Sequence, residues 1–416
     1  MTATHEEATP LSRTEEVTAA GCPVVDFDFT QPRPATEYFT VLDEMREKSP
    51  IAWNTFGGGF WMLNRNALVQ EAFQNPQLFS SSATVPTIPE PDYHFIPTME
   101  NPPNHRLYRS VLNPQFSPKV VAGLEPSIRR DCVELIESLM DKGSVDLVTD
   151  FAMVFPTKVF LQIVELPTED TDKFVAWVED AFAGLGNPEG VELLQRAFAE
   201  IRAYFTALLA ELGANPRDDF FGRLATSNIG DRPITDEEFL NMSLVLILAG
   251  LDTVKSQLGY AFYHLATHDD DRQRIIDDPS IAPAAVEELL RAFAIVMDGR
   301  RVEEDVDFHG CPMKKGDMVM LTLAAASRDT LEFEHAEKVD FDREAVTHFS
   351  FGSGPHRCLG SHLARLELTV ALQEWHKRIP HYRLDPSVGP DEIVESGPQL
   401  GLSKLPLVWD TASVVR

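Results

Sequence analysis

Phe351-Gly352-Ser353-Gly354-Pro355-His356-Arg357-Cys358-Leu359-Gly360 places one cysteine in a loop built for backbone contact. Glycines at 352, 354 and 360 keep side chains away and permit backbone angles that other residues resist. Amide N–H groups can then turn toward the sulfur, and a flat ligand can approach closely. From Gly360 to Trp375, Leu363, Leu366, Leu368, Val370, Ala371 and Leu372 mark an amphipathic helix. Cys358 therefore precedes a helix N-terminus, where the positive end of the dipole lowers a thiol pKa. An anionic sulfur held this way is a soft metal ligand. A structural cysteine in a Gly-rich loop is the competing reading.

Outward from this loop the chain reads as mainly helical with a small β component. Thr235-Asp236-Glu237-Glu238 is a capping box, and the helix it opens runs without a break to about Thr267. Its most apolar run, Leu244–Leu251, falls far short of the ~20 residues that a membrane span needs, so it reads as a buried helix. Further helices are expected over 35–48, 66–75, 103–113, 118–142, 152–164, 169–182, 188–212, 218–226, 270–277 and 282–294. Strand-like stretches are 51–55, 60–63, 300–308, 318–323 and 401–408.

A formal net charge of −29 over 416 residues disfavours nucleic acid and anionic lipid as partners. Cys22, Cys132, Cys311 and Cys358 are scattered, with neither a disulfide framework nor a zinc pattern, which points to a reducing compartment. Residues 1–20 are rich in Thr, Glu and Ala without a basic or apolar targeting region, and read as a disordered lead-in to a cytoplasmic protein with no membrane anchor.

Three further patterns carry chemistry. Ala249-Gly250-Leu251-Asp252-Thr253 sets an acid and a hydroxyl in the apolar middle of the long helix. Ala249 and Thr253 share a face at i, i+4, so a flat ligand against Ala249-Gly250 would have the hydroxyl beside it; a Thr bonded back to the i−4 carbonyl is the plainer alternative. Glu288 and Arg291 sit at i, i+3, the spacing of an ordinary surface ion pair. Asn101-Pro102-Pro103 reads as a helix start with Asn as N-cap, bringing His105 and Arg109 to one face.

The spacing Phe351-x-x-Gly354-x-x-x-Cys358-x-Gly360 resembles the haem-ligand loop of the cytochrome P-450 family, and Ala249–Thr253 resembles that family's oxygen-activating helix. The resemblance implies one haem-thiolate domain over 21–416, with haem b buried between the long helix and the cysteine loop. It implies Cys358 as the iron ligand, Phe351, Gly360, Ala249 and Gly250 against the haem, and His105, Arg109, Arg300 and His356 holding its propionates. Asp252 and Thr253 would handle protons, and Glu288 and Arg291 would brace the core. Electrons would come from a [2Fe-2S] ferredoxin and its NAD(P)H-dependent reductase, docking near Arg109 and Arg365.

Tyr93-His94-Phe95-Ile96-Pro97-Thr98, Leu251-Asp252-Thr253-Val254, Val296–Arg300 and Leu405–Trp409 resemble the camphor-hydroxylase group of that family. Tyr93 would then donate to a substrate oxygen, with Val245, Leu248, Val296 and Gln399 completing an apolar pocket; a rim Tyr bonded to water is the alternative. The implied activity is monooxygenation of a small alicyclic or terpenoid substrate by O2. A peroxide-driven peroxygenase and a non-enzymatic haem sensor remain as the other readings.

Overall fold

Thr235 opens the central helix as its sequence demands: its hydroxyl accepts from the Glu238 amide, and the Glu238 carboxylate accepts from the Thr235 amide at 2.8 Å. The computed structural model describes residues 12–184, 190–344, 346–389, 392–396 and 399–416. Its helices in chain order are α1 (Arg13–Ala19), α2 (Glu37–Lys48), α3 (Asn66–Gln74), α4 (Asn104–Leu112), α5 (Pro118–Leu139), α6 (Val154–Ile163) and α7 (Thr171–Gly184). They continue as α8 (Val191–Ala214), α9 (Phe220–Ala225), α10 (Asp236–Thr267), α11 (Asp269–Asp277), α12 (Ala282–Ala292), α13 (Leu323–Ala326) and α14 (Ser361–Arg378). By length and composition α10 could span a bilayer, contrary to the sequence expectation, but 67% of its apolar window is buried inside the protein. It is the core helix against which α6, α7, α8, α12 and α14 pack.

Beside the helical body lies a six-stranded sheet in the order Val24–Val25, Ile51–Asn54, Phe60–Leu63, Met318–Thr322, Met297–Val302 and Phe79–Ser80. Met318–Thr322 runs antiparallel to Met297–Val302 and parallel to Phe60–Leu63. The single strand expected over 300–308 is two, because the charged stretch Glu303-Glu304-Asp305 turns outward before Val306–Phe308 forms a hairpin with Cys311–Met313.

The amino-terminal segment is more ordered than its composition implied. Arg13–Ala19 is helical, with a Ser12–Glu15 capping box. Arg13 reaches Asp317 at 2.6 Å and lies over the rings of Trp53 and Trp61, so one cation ties α1 to the sheet. Cys22 and Cys311 are joined as a disulfide across 289 residues, which corrects the reading of four unpaired cysteines. Residues 1–11 lie outside the described part.

Glu288 and Arg291 are not a surface pair. Both are fully buried, 2.7 Å apart, and Arg291 also donates to the carbonyls of Ser327, Ala336 and Lys338 while Arg343 donates to Glu288. The pair therefore ties α12 to the long segment that leads into the cysteine loop.

Candidate active site

Gly352 and Gly354 take φ of 62° and 65°, the left-handed region that a glycine enters without strain. At Gly354 a Cβ would also lie 2.5 Å from the Phe73 carbonyl oxygen, so the loop is pressed against the end of α3. Gly360 has an ordinary φ of −83° and open space where a Cβ would point, which leaves room for a flat group. The Cys358 amide donates to the Phe351 carbonyl at 2.8 Å, turning the side chain inward ahead of α14.

Cys358 lies deep in the protein, yet its side chain is accessible. Ala249 is likewise exposed in a stretch of α10 whose neighbours Val245 to Leu248 are buried. Burial pushes the Cys358 thiol up, and this outweighs the Gly360 N–H and the guanidinium groups of Arg109, Arg365 and Arg357, which pull it down. The helix dipole alone therefore does not make the thiolate; a metal cation would. Among the described residues no group of three or more His, Cys, Asp or Glu could hold a metal. A metal on this single sulfur must take its other ligands from an organic cofactor.

A cluster of two arginines and two histidines fits such a cofactor if it carries carboxylates. The His105 and His356 rings stand 4.1 Å apart. Burial first, and then the Arg109 guanidinium, brings His105 down to about 4. Burial together with Arg300, His105 and Arg109 brings His356 down to about 3. The His356 Nε2 is buried without a hydrogen-bond partner, an orphan that an anionic oxygen would satisfy. Arg109 donates to the Arg357 carbonyl at 2.9 Å, and Arg300 pairs with Asp298 at 2.6 Å while lying over Phe73. The four expected side chains are thus together, two guanidinium cations and two imidazoles that are neutral near pH 7, although Asn101 does not cap α4. Its side chain bonds Ser80 and the Ser81 amide, and Pro103 takes the cap position.

On α10 the Thr253 hydroxyl donates to the Ala249 carbonyl at 3.1 Å, which fixes it on the Ala249 face while leaving its oxygen able to accept. Gly250 is not on that face. A Cβ there would lie 2.4 Å from the Phe160 ring of α6, so this glycine serves helix packing rather than a flat cofactor. Asp252 is buried, ion-paired with Lys255 and hydrogen-bonded by the Gln399 amide. Gln399 is therefore turned to the acid and not to the substrate, as the sequence had implied; Pro398 beside it lies outside the described residues.

Tyr93 lines a cavity of about 550 Å³ with Phe198 of α8 and Leu240, Asn241 and Leu244 of α10. It stacks on Phe95 at 4.5 Å and meets Phe198 edge-on at 6.5 Å. Burial, and then Asp92, pushes its hydroxyl up to about 12, so it is a neutral donor. Val245 and Leu248 are buried beside this wall but do not line it, and Val296 is bridged to Gln399. The cavity lies toward the start of α10, about 7 Å of helix rise from Ala249 at its near edge. Leu240 and Leu244 repeat at i, i+4 and could have been read from the sequence; Phe198, remote in sequence, could not.

Phe351 lies under the Arg365 guanidinium at 4.4 Å, and Arg365 is ion-paired with Glu287 at 3.0 Å through its second nitrogen. It braces α14 against α12 and so is less open to a partner than expected.

The sequence profile of the family described as Cytochrome P450 matches residues 270–408. A probable cytochrome P450 127A1 of Sinorhizobium fredii is 32% identical over 85% of this chain and 84% of its own length. The vitamin D(3) 25-hydroxylase of Pseudonocardia autotrophica is 34% identical over 86% of this chain and 89% of its own. The crystal structure of CYP101J2 superposes with a TM-score of 0.86 at 30% identity, covering 96% of this chain and all of that one. That family holds haem iron on a cysteine, as the Cys358 loop and the cluster of arginines and histidines require, and the chain belongs to the cytochrome P450 family.

Proposed function

We propose that this protein inserts one atom of O2 into a C–H bond of a compact, mostly hydrocarbon substrate carrying one oxygen, in the terpenoid or alicyclic class. Haem, when bound, supplies the oxygen activation, with two electrons and two protons consumed and the second oxygen atom leaving as water. Cys358 would hold the iron, and His105, His356, Arg109 and Arg300 would hold the haem carboxylates. Asp252 and Thr253 would carry protons, Thr253 from the Ala249 face. The electrons are assigned to a [2Fe-2S] ferredoxin with an NAD(P)H-dependent reductase, and the setting to the cytoplasm.

The substrate reading is supported by Tyr93, a neutral donor on a cavity whose wall combines Phe198, Leu240 and Leu244 with the polar side chains of Asn241, Arg202 and Glu237. Tyr93 is half-buried, and a ligand that covers its hydroxyl would have to bring an acceptor or cost about 1–3 kcal/mol. Relatives named for vitamin D(3) and steroid hydroxylation place larger alicyclic compounds in the same test. That test is a spin-shift titration of ferric protein with paired ketones and parent hydrocarbons of monoterpene and sterol size. Tyr93→Phe should weaken the ketone about ten- to thirtyfold and leave the hydrocarbon unchanged. Equal changes for both would leave Tyr93 a matter of shape alone.

A further inference from the structure

Asp252 is 6% exposed in the apolar middle of α10, where a lone carboxylate is costly. Two partners meet it from different elements. Lys255 follows one turn along α10 and pairs with one carboxylate oxygen. Gln399, whose backbone bridges Val296, donates its amide to the other. A narrow cleft between α6, α7 and α10, lined by Met153, Thr157, Val178, Glu179, Asp252 and Lys255, ends at this carboxylate. Its space for water centres is about 10 Å³, roughly what a single water needs, and Glu179 at its wall is exposed. Thr253 is one residue on, turned about 100° around the helix toward the Ala249 face. The acid thus faces the cleft and the hydroxyl the Ala249 side of the helix.

We propose that Lys255 and Gln399 are positioning residues that hold the Asp252 carboxylate at the inner end of this cleft, where water protonates it, and so set the rate at which protons reach Thr253. This rests on Asp252 and Thr253 being the proton-handling pair. One proton enters the carboxylate from cleft water and the same carboxyl releases one toward Thr253; Lys255 and Gln399 exchange none, and no electron moves. Neither Lys255 nor Gln399 is required by the helix itself. Position 255 lies where an apolar residue would be cheaper to bury, and the side chain is 18% exposed, just enough to meet the cleft.

The test uses haem-loaded protein with a surrogate [2Fe-2S] ferredoxin, its reductase and NADH, and follows O2 consumption in H2O and D2O. Lys255→Met and Gln399→Leu should each slow it about tenfold or more and enlarge the solvent isotope effect, and Lys255→Arg should restore most of the rate. Independently of activity, urea unfolding of these variants with and without Asp252→Asn should be non-additive, since each anchor stabilises only a charged acid. If Asp252→Asn slows the reaction while Lys255→Met and Gln399→Leu do not, the positioning role is wrong and the proton pair stands. An Asp252→Asn protein at full rate would remove the pair itself. Additive unfolding energies would remove the anchors.

Discussion

At the scale of single residues the chemistry hangs on the sulfur of Cys358. Burial pushes the Cys358 thiol up while three guanidinium groups and one amide pull it down, and a bound metal cation would favour the thiolate. Cys358→Ser should therefore abolish the thiolate-type spectrum of the ferrous carbonyl form and the oxygenation together; retention of both would refute the ligand. Thr253 is tied to the Ala249 carbonyl and lies outside the Tyr93 cavity, so removing its hydroxyl should cost little in substrate affinity. Thr253→Ala should divert electrons to hydrogen peroxide, with product per NAD(P)H falling about tenfold. A collapse in affinity at unchanged coupling would make Thr253 a pocket residue instead.

At the scale of elements, α12 and α14 are joined by charge as well as by packing. Burial alone would raise Glu287, but hydrogen bonds from His348 and Arg365 outweigh it and hold the carboxyl down to about 2, from an ordinary 4.5. A depressed folded value means stability that is present above about pH 4.5 and is lost as the pH falls toward about 2. Glu287→Gln should thus be about 1–2 kcal/mol less stable near pH 6, discounted for partial exposure, and the gap should narrow below about pH 4.5 and close only as the pH falls toward about 2 in urea unfolding. A constant gap across that range would show that packing, not charge, is lost. These braces show what a sequence hides. The start of α10 was legible because Thr235 and Glu238 cap each other locally, and the Cys358 loop because glycine spacing is itself local. Glu288 and Arg291 looked like a surface pair because their other partners, Ser327 to Arg343, come from far along the chain. Gln399 was given to the substrate and Gly250 to the cofactor for the same reason: Asp252 and Phe160, which occupy them, are tertiary neighbours. The Cys22–Cys311 pairing spans 289 residues, a distance at which spacing carries no signal.

At the scale of the whole molecule, the proposed ferredoxin donor, itself acidic, would have to dock on a protein with a formal net charge of −29. The cations nearest the cysteine are committed inward: Arg365 pairs with Glu287, and Arg109 donates to the Arg357 carbonyl. Arg357 itself is exposed, next in sequence to Cys358, and is the residue best placed to add a local attraction to the expected docking face. Two electrostatic ranges then compete. The long-range term between two acidic bodies is repulsive and is screened first, because the Debye length is about 10 Å at 0.1 M salt. The contact between Arg357 and a carboxylate on the donor acts over less than half that distance and is screened last. The rate of reduction by an acidic ferredoxin should therefore rise with ionic strength to a maximum near about 0.1 M and fall beyond it. Arg357→Gln should remove the falling limb and lower the maximum several-fold, with the haem spectrum unchanged. Stopped-flow reduction across a salt series reads both limbs. A monotonic fall would mean that attraction dominates at every range, and an unchanged profile in Arg357→Gln would move the docking site away from the cysteine face.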